Sequence, residues 1–362
     1  MSENMNVAVY YKNDDVRIEQ KPIPEIGPGE LLVRTEVSGL CGGETMEWYL
    51  ASRAPKVLGH EPTGVVEEVG QGVSDFQVGD RVFVHHHVPC MSCHQCHRGN
   101  FTLCEHFNVT RIDPGGFAEY FRVPAENVRF DTLILPENVS FEEGTVIEPM
   151  ACCLKGIRQT PLHTGDTVVL VGMGFMGMCY LELLTLYPAG KIIALDFSEW
   201  RLEKAADLGA THTFNPAQVD EQEAVRDINQ GRGADAVFVT APNLKAWESG
   251  LALCERGGQL HLGAPPPPGE VWQVDPNAYY FSEVRINSSY SAHHVDTQSV
   301  LDLLTAKRID AQALITHKFG LGQVEQAIAT LLEADRSLKS LIYPHHQELY
   351  RGAVHGKTPH NR

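Results

Sequence analysis

A strand, a glycine-rich turn and a helix follow one another from Thr167, and they limit the fold of this chain more than any other feature. An apolar run to Val171 is typical of a buried parallel strand, and an apolar helix is expected to about Tyr187. Glycines in the turn permit a tight bend, close approach of a pyrophosphate and close helix packing. The predicted cofactor-binding residues in this turn are Gly172, Gly174, Phe175, Met176 and Gly177.

The next apolar run, KIIALD, ends at Asp196, where a dinucleotide-binding fold carries the acidic residue that hydrogen-bonds the adenine ribose. Its negative charge would repel a 2′-phosphate, which favours NAD over NADP. Arg201 weakens this preference for NAD slightly, because its positive charge could offset the repulsion of a ribose 2′-phosphate. The alternative is a plain glycine-rich turn followed by a helix that Asp196 caps.

Beyond Thr167 apolar runs alternate with helical stretches, which predicts a parallel sheet with helices on both faces. The first 150 residues instead carry short β-like runs separated by Gly, Pro and Asp turns. A chain of 362 residues is too long for one core, because single cores rarely grow beyond about 250 to 300 residues. We therefore predict an α/β protein with a doubly wound parallel sheet and a separate, mainly β domain.

Four cysteines are crowded into a short segment, with the spacing C-x2-C-x2-C-x7-C at Cys90, Cys93, Cys96 and Cys104. One loop with this spacing can wrap four thiolates around a single ion, and zinc is the natural occupant. An iron–sulfur cluster and four unrelated thiols are the alternatives. Four protein ligands leave no open position, so this zinc is predicted to be structural.

A second group of metal-binding residue types is dispersed along the first half of the chain. It consists of Cys41, His60, Glu61 and Glu148. Catalytic zinc needs mixed sulfur, nitrogen and oxygen ligands with one exchangeable position. Each residue also has an ordinary interpretation, as a core cysteine, a core or surface histidine, or a glutamate that caps a helix before Pro149.

These motifs together resemble the zinc-containing medium-chain dehydrogenases, over residues 5 to 344. The resemblance rests on Cys41-Gly, Gly59-His60-Glu61, the four-cysteine loop, GGFAEYFRVP from Gly115, Glu148-Pro149 and the glycine turn. It is greatest for the polyol branch, which includes sorbitol and threonine dehydrogenases. The resemblance implies a Rossmann domain at 153–289 and a GroES-like catalytic domain at 1–152 and 290–345. The polar segment at 346–362 has little apolar material to bury, which predicts a mobile tail.

The resemblance also implies two zinc ions and NAD. The catalytic ion would be held by Cys41, His60 and Glu148, and Glu61 would bind it directly or through a water. The implied reaction is hydride transfer between NAD and a secondary alcohol, such as a polyol, sugar, cyclitol or amino alcohol. The segments expected to approach the nicotinamide contain Thr240, Gly263, Ala264, Ser288 and Ser289.

This chain departs from the family beside the catalytic cysteine. Most relatives have a Ser or Thr that passes the alcohol proton outward, followed by an Asp, where this chain has Gly43 and Glu44. We expect Thr45, Glu61 or a water to relay the proton, and Glu44 to orient His60. Glu47 stands where sorbitol dehydrogenases carry an aromatic hydroxyl, and Glu47 and its neighbour Trp48 are the predicted substrate contacts. The alternative for Glu47 is a solvated surface residue.

The formal charge of −17 disfavours binding to nucleic acid or to an anionic membrane surface. The first residues lack the basic and apolar regions of a secretory signal, and the cysteine usage fits a reducing compartment, which predicts a cytoplasmic protein. The family implies a homodimer or homotetramer. The alternative functions are a zinc-free quinone or enoyl reductase, and a non-catalytic NAD sensor that keeps the fold.

Overall fold

The chain divides into two compact units in a computed structural model that describes residues 3–334 and 336–349. The first unit runs to Ile147 and resumes at Ala311, and the second unit is Glu148–Asp310. The first unit is therefore built from both ends of the chain, and the second unit is a single continuous insertion.

Strands dominate the first unit before the boundary. They are β1 (Asn4–Lys12), β2 (Asp15–Pro22), β3 (Leu31–Leu40), β4 (Lys56–Val57), β5 (Glu61–Val69), β6 (Arg81–Val84), β7 (Tyr120–Val123) and β8 (Thr132–Ile134). The helices between them are short: α1 (Glu47–Leu50), α2 (His94–His97), α3 (Ala125–Asp131) and α4 (Phe141–Gly144). Helix α5 (Ile147–Arg158) begins at the boundary.

Strands and helices alternate in the second unit. The strands are β9 (Thr167–Val171), β10 (Lys191–Leu195), β11 (His212–Phe214), β12 (Ala234–Val239), β13 (Cys254–Leu262) and β14 (Arg285–Ser288). The helices are α6 (Phe175–Leu184), α7 (Glu199–Asp207), α8 (Glu221–Ile228), α9 (Leu244–Leu253), α10 (Pro276–Ser282) and α11 (His294–Thr305). From Ala311 the first unit resumes with β15 (Ile315–Gly320), α12 (Val324–Glu333) and β16 (Lys339–Tyr343).

The main sheet of the first unit has the order β15-β16-β3-β5-β6-β8, with β7 also paired to β3. Strand β3 is buried along most of its length because β16 and β5 lie on either side of it. The pair β3 and β5 is antiparallel, with Gly39 opposite Glu61. This register brings the end of β3 next to the start of β5, which decides where Cys41 and His60 lie.

The sheet of the second unit is entirely parallel, in the order β11-β10-β9-β12-β13-β14. All of β9 is buried, since helices cover both faces of such a sheet. Strand β10, which follows β9 in sequence, lies on one side of β9, and β12, which comes later in the chain, lies on the other side. Ligands of this fold bind at the carboxyl ends of the strands beside that change of direction. The predicted doubly wound sheet and mainly β domain are confirmed.

The second unit extends beyond the domain predicted at 153–289. Helix α11 follows β14 and belongs to this unit, where its Asp296 pairs with Arg158 of α5 at 2.5 Å. The apolar stretch at 168–187 is β9 followed by α6. Among the described residues, no helix is long and apolar enough to cross a membrane.

The predicted mobile tail begins at His346, and its first residues have hydrogen-bond partners. The carbonyl oxygens of His346 and Gln347 accept hydrogen bonds from Leu321 and Gly322, at 2.6 and 3.0 Å. Residues 346–349 are therefore attached to the turn that follows β15. Residues 350–362 lie outside the described part of the chain.

Candidate metal centres and cofactor site

The four cysteines of the predicted structural site lie together in the first unit. Their sulfur atoms are all within 4.8 Å of one another, with Cys93 and Cys96 at 3.5 Å and Cys90 and Cys104 at 3.6 Å. Zinc–sulfur bonds of about 2.3 Å in a tetrahedron give sulfur–sulfur separations of about 3.8 Å. The cluster therefore has the size that a single tetrahedral zinc requires.

A second cluster in the same unit contains ligand atoms of Cys41, His60 and Glu61, all within 4.8 Å of one another. Cys41 follows the last residue of β3, and His60 precedes the first residue of β5. The antiparallel pairing of these strands explains why residues far apart in the sequence meet here. A thiolate, an imidazole and a carboxylate at this spacing form a donor set suited to zinc.

Glu44 fixes the orientation of His60. Its carboxylate lies 2.9 Å from Nδ1 of His60 and accepts hydrogen bonds from the N–H groups of Gly59 and Cys41, at 2.7 and 3.3 Å. Burial alone would raise the pKa of the Glu44 carboxyl, but His60 and these N–H groups outweigh burial and hold that pKa below its usual value. A carboxylate behind Nδ1 leaves Nε2 of His60 as the ligand atom.

Both oxygen atoms of Glu61 accept hydrogen bonds from Nζ of Lys339, at 2.9 and 2.7 Å. The two side chains are buried, with 0% and 1% of their surface exposed. A Cβ atom on Gly39 would lie 1.9 Å from a Glu61 oxygen, so only glycine fits at this position of β3. The carboxylate beside the candidate metal centre is therefore held by a buried cation.

The other predicted residues around Cys41 differ in exposure. Thr45 is buried, and its hydroxyl donates to the carbonyl of Gly42 at 2.9 Å. Glu47 is exposed and accepts a hydrogen bond from the N–H of Asn13 at 3.3 Å. Trp48 is 41% exposed. These contacts leave the predicted roles of the three residues untested.

Glu148 belongs to the second unit, in the first turn of α5. Its carboxylate accepts a hydrogen bond from the thiol of Cys152 at 3.4 Å, one helical turn later. The two side chains lie on the same helical face because residues four apart are neighbours on a helix. The participation of Glu148 in a metal site stays a prediction.

Three consecutive histidines follow β6, and no function is predicted for them from the sequence. Nδ1 of His85 lies 2.7 Å from the buried Asp131 carboxylate, and Nδ1 of His87 lies 3.0 Å from the carbonyl of Thr110. The ring of His86 lies 4.7 Å from the ring of His60. Burial and the neighbouring His87 lower the pKa of His86 well below its usual value, so its ring is neutral near pH 7.

The glycine turn of the second unit has the geometry that its sequence predicts. Gly172 has a φ of 96°, which favours glycine, and Gly174 precedes α6. A Cβ atom on Gly177 would lie 2.0 Å from the carbonyl oxygen of Gly172. Helix α6 therefore packs tightly on the turn after β9, with Phe175 and Met176 in its first turn.

Asp196 lies just beyond the end of β10 and is linked to the glycine turn. Its carboxylate accepts hydrogen bonds from the N–H groups of Met173 and Ser198, at 2.7 and 2.8 Å. The guanidinium of Arg201 lies 3.6 Å from the same carboxylate. A carboxylate oxygen can accept more than one hydrogen bond, so these contacts leave acceptor capacity for a ribose hydroxyl.

The remaining predicted cofactor residues lie at the carboxyl ends of neighbouring strands. Thr240 follows β12, Gly263 and Ala264 follow β13, and Ser288 is the last residue of β14. The hydroxyl of Thr240 donates to the carbonyl of Gly172 at 2.7 Å, and Ser289 lies 3.3 Å from His261. The parallel sheet thus places these residues and the glycine turn at one edge.

Comparison with known proteins assigns both halves of the chain. The family model for the alcohol dehydrogenase GroES-like domain matches residues 27–130, and the model for zinc-binding dehydrogenase matches residues 176–306. The chain is 30% identical over 353 residues to sorbitol dehydrogenase of Bacillus subtilis, covering 94% of this chain and 98% of that protein.

Solved structures agree with these matches. An alcohol dehydrogenase from Escherichia coli CFT073, determined with NADH, has a TM-score of 0.84 at 27% identity, covering 95% of this chain and 100% of that one. The 2R,3R-butanediol dehydrogenase of Bacillus subtilis has a TM-score of 0.82 at 26% identity, with 94% and 99% covered. The similarity extends over nearly the whole length of all three proteins.

Proposed function

Because this chain belongs to the zinc-containing alcohol dehydrogenase family, we propose that it transfers a hydride between a secondary alcohol and NAD. The observation that carries the proposal is the cluster of Cys41, His60 and Glu61, with Glu44 behind His60. The relatives are named for sorbitol and 2R,3R-butanediol, which supports a substrate of the polyol, sugar, cyclitol or amino alcohol class.

The proposed catalytic zinc ligands are Cys41, His60 and Glu148. Zinc held there would polarise the alcohol oxygen and so help it to lose its proton. The Glu44 carboxylate keeps Nδ1 of His60 occupied and directs Nε2 toward the ion. The bond from Glu61 to Lys339 favours indirect participation of Glu61, because binding the ion directly would weaken a buried ion pair.

The route by which the alcohol proton leaves is also a proposal. Gly43 has no side chain to relay it. The Thr45 hydroxyl donates to the carbonyl of Gly42, and its lone pairs can accept a hydrogen bond from a water or substrate. To relay a proton, the hydroxyl would have to turn from this carbonyl and pass its own proton to a water as it takes up the proton of the alcohol. Glu47 is exposed on the same short segment and can accept hydrogen bonds from substrate hydroxyls or an amine.

NAD is the proposed electron acceptor. No described atom lies within 4 Å of the position that a Cβ on Gly174 would take, and the start of α6 that follows favours the negative charge of a pyrophosphate. The Asp196 carboxylate supports NAD over NADP because it would repel a ribose 2′-phosphate. The proposed contacts to the nicotinamide are the strand ends at Thr240, Gly263, Ala264, Ser288 and Ser289.

We also propose a homodimer or homotetramer in the cytoplasm. Strand β14 is the edge of the parallel sheet, and α10, which precedes it in sequence, has no buried residue. Tyr280 and Phe281 are 74% and 63% exposed, and large exposed aromatic surface is typical of an interface. The free cysteines, which include the four of the metal cluster, fit a reducing compartment.

The proposed function is tested by measuring NAD reduction with a panel of polyols, sugars, cyclitols and amino alcohols. We expect turnover that chelation abolishes and zinc restores. His60→Ala should lower kcat/KM by about a thousandfold and reduce bound zinc from two ions to one per chain. His163→Ala, at an exposed position of the second unit, is the control. Turnover that survives both chelation and His60→Ala would favour a zinc-free reductase.

A further inference from the structure

Two residues of the histidine triplet at 85–87 hold this segment in place, and the third, His86, shows no such role among the described residues. His85 is 0% exposed and bound to Asp131, and His87 is 9% exposed and bound to the carbonyl of Thr110. Both contacts anchor the segment after β6 to the core of the first unit. His86 lies between these two anchors and is partly exposed.

The anchors hold the His86 ring beside the candidate catalytic centre. The centroid of its ring lies 4.7 Å from that of His60 and 4.0 Å from that of His87. Nδ1 of His86 is buried and has no hydrogen-bond partner among the described residues. Buried polar atoms normally have a partner, so an unpaired nitrogen beside a reactive centre indicates a ligand that completes it.

We propose that His86 binds a second polar group of the substrate, on the carbon next to the carbinol that is oxidised. This inference rests on the proposed function. A substrate whose carbinol lies beside His60 brings its next carbon beside His86, because the two rings are near neighbours. With its proton on Nε2, the neutral ring accepts a hydrogen bond at Nδ1, and a hydroxyl and an ammonium can both donate one.

The experiment compares His86→Phe and His86→Gln with the wild type on butane-2,3-diol, 3-aminobutan-2-ol and butan-2-ol. The phenyl ring keeps the shape of the side chain and removes its hydrogen bond, while glutamine restores a polar group. In His86→Phe we expect the ratio of kcat/KM for the diol or amino alcohol to that for butan-2-ol to fall about tenfold. His86→Gln should recover part of the ratio.

Two further measurements separate substrate binding from a structural or metal-ligand role. Calorimetry of the non-reacting complex of enzyme, NADH and alcohol should show the same loss of affinity for the diol or amino alcohol in His86→Phe. Bound zinc should stay at the wild-type number of ions per chain. The matched control, His163→Phe, replaces an exposed histidine far from β6 in sequence and should keep the wild-type ratio.

The outcomes distinguish this inference from the proposed function. A larger loss with the diol identifies a hydroxyl as the group that His86 binds, and a larger loss with the amino alcohol identifies an ammonium. Equal losses on all three alcohols, no loss, or a loss of zinc in His86→Phe would overturn the inference while leaving the proposed function standing. A wild type that oxidises none of the polyols, sugars, cyclitols and amino alcohols of the first panel would overturn the proposed function. A wild type that oxidises some of them but neither butane-2,3-diol nor 3-aminobutan-2-ol would overturn this inference alone.

Discussion

Lys339 and Glu61 form a deeply buried ion pair beside the candidate metal centre, with 1% and 0% of their side chains exposed. We predict that Lys339→Met lowers the free energy of unfolding by about 3 kcal/mol, because the Glu61 carboxylate would be left buried without its cation. Urea unfolding of the zinc-loaded protein measures this loss.

The double variant Glu61→Gln, Lys339→Met is the control for that prediction. Removing both charges leaves no buried ion, so the double variant should lose less than half as much stability as Lys339→Met alone. A double variant that is as unstable as the single one would show that Lys339 acts through packing or through its bond to the Leu40 carbonyl at 3.3 Å.

We predict that the stability of the folded protein depends on pH through Glu182, which lies on α6. Burial raises the pKa of its carboxyl to about 7, above the value of 4.5 expected for an exposed glutamate. A raised pKa means that the folded protein holds the proton more tightly, so this stabilisation is complete below about pH 4.5 and is lost as pH rises through 7.

Between pH 5.5 and 8 the wild type should therefore lose about 1 to 2 kcal/mol of stability relative to Glu182→Gln. The measurement is the difference in free energy of unfolding between the two proteins at each pH. A difference that does not change with pH would contradict the raised pKa.

Single residues differ in how far the sequence could predict their partners. The four cysteines of the structural site are close in sequence, so their meeting was predictable from spacing alone. Glu61 and Lys339 are 278 positions apart, and neither residue type indicates its partner. The orientation of His60 by Glu44 was expected from the family and is supported by the contact of 2.9 Å.

At the scale of elements, the four-cysteine loop has little core of its own. Its buried cluster consists of Cys96, Cys104 and Phe107. We predict that Cys93→Ser removes one zinc ion per chain and exposes residues 90–108 to proteolysis, because the loop then lacks the bonds that hold it together. Metal analysis and limited proteolysis measure the two effects.

Cys254→Ser is the matched control for the loop, since Cys254 lies in the second unit at the start of β13. It should keep two zinc ions and the wild-type pattern of cleavage. Equal zinc content in Cys93→Ser and the wild type would contradict the assignment of this loop as a structural zinc site.

The turn after β10 carries a prediction about coenzyme choice. Asp196→Ser removes the charge that repels a 2′-phosphate, so the ratio of kcat/KM for NAD to that for NADP should fall by about tenfold or more. Asp207→Ser, at an exposed position at the end of α7, should keep the wild-type ratio. A wild type that already prefers NADP would contradict the role given to Asp196.

Several elements of the second unit were predictable because β9, β10, β12 and the end of β13 are short apolar runs with helical stretches between them. The assignment of α11 to a domain was not predictable in this way. Its amphipathic pattern indicates a helix but not the core on which that helix packs. The pair of Arg158 and Asp296, which joins α11 to α5, depends on the folded structure.

At the scale of the whole molecule, the exposed aromatic side chains of α10 predict self-association. Replacing Tyr280 and Phe281 together by aspartate should shift the molecular mass measured by light scattering toward that of a single chain, because buried charges oppose a hydrophobic interface. Val78→Asp, at a 65% exposed position of the first unit, is the control. A mass that is the same in all three proteins would contradict an interface at α10.

The first unit is completed only by strands from the later part of the chain. Strand β16 pairs with β3 and supplies Lys339, which follows the entire second unit in sequence. A ribosome that has made residues 1–147 has produced Cys41, His60 and Glu61, yet the cation that neutralises Glu61 has not been translated. During synthesis the ion pair of Glu61 and Lys339 therefore cannot form until β16 has been made. By then the whole second unit has been synthesised.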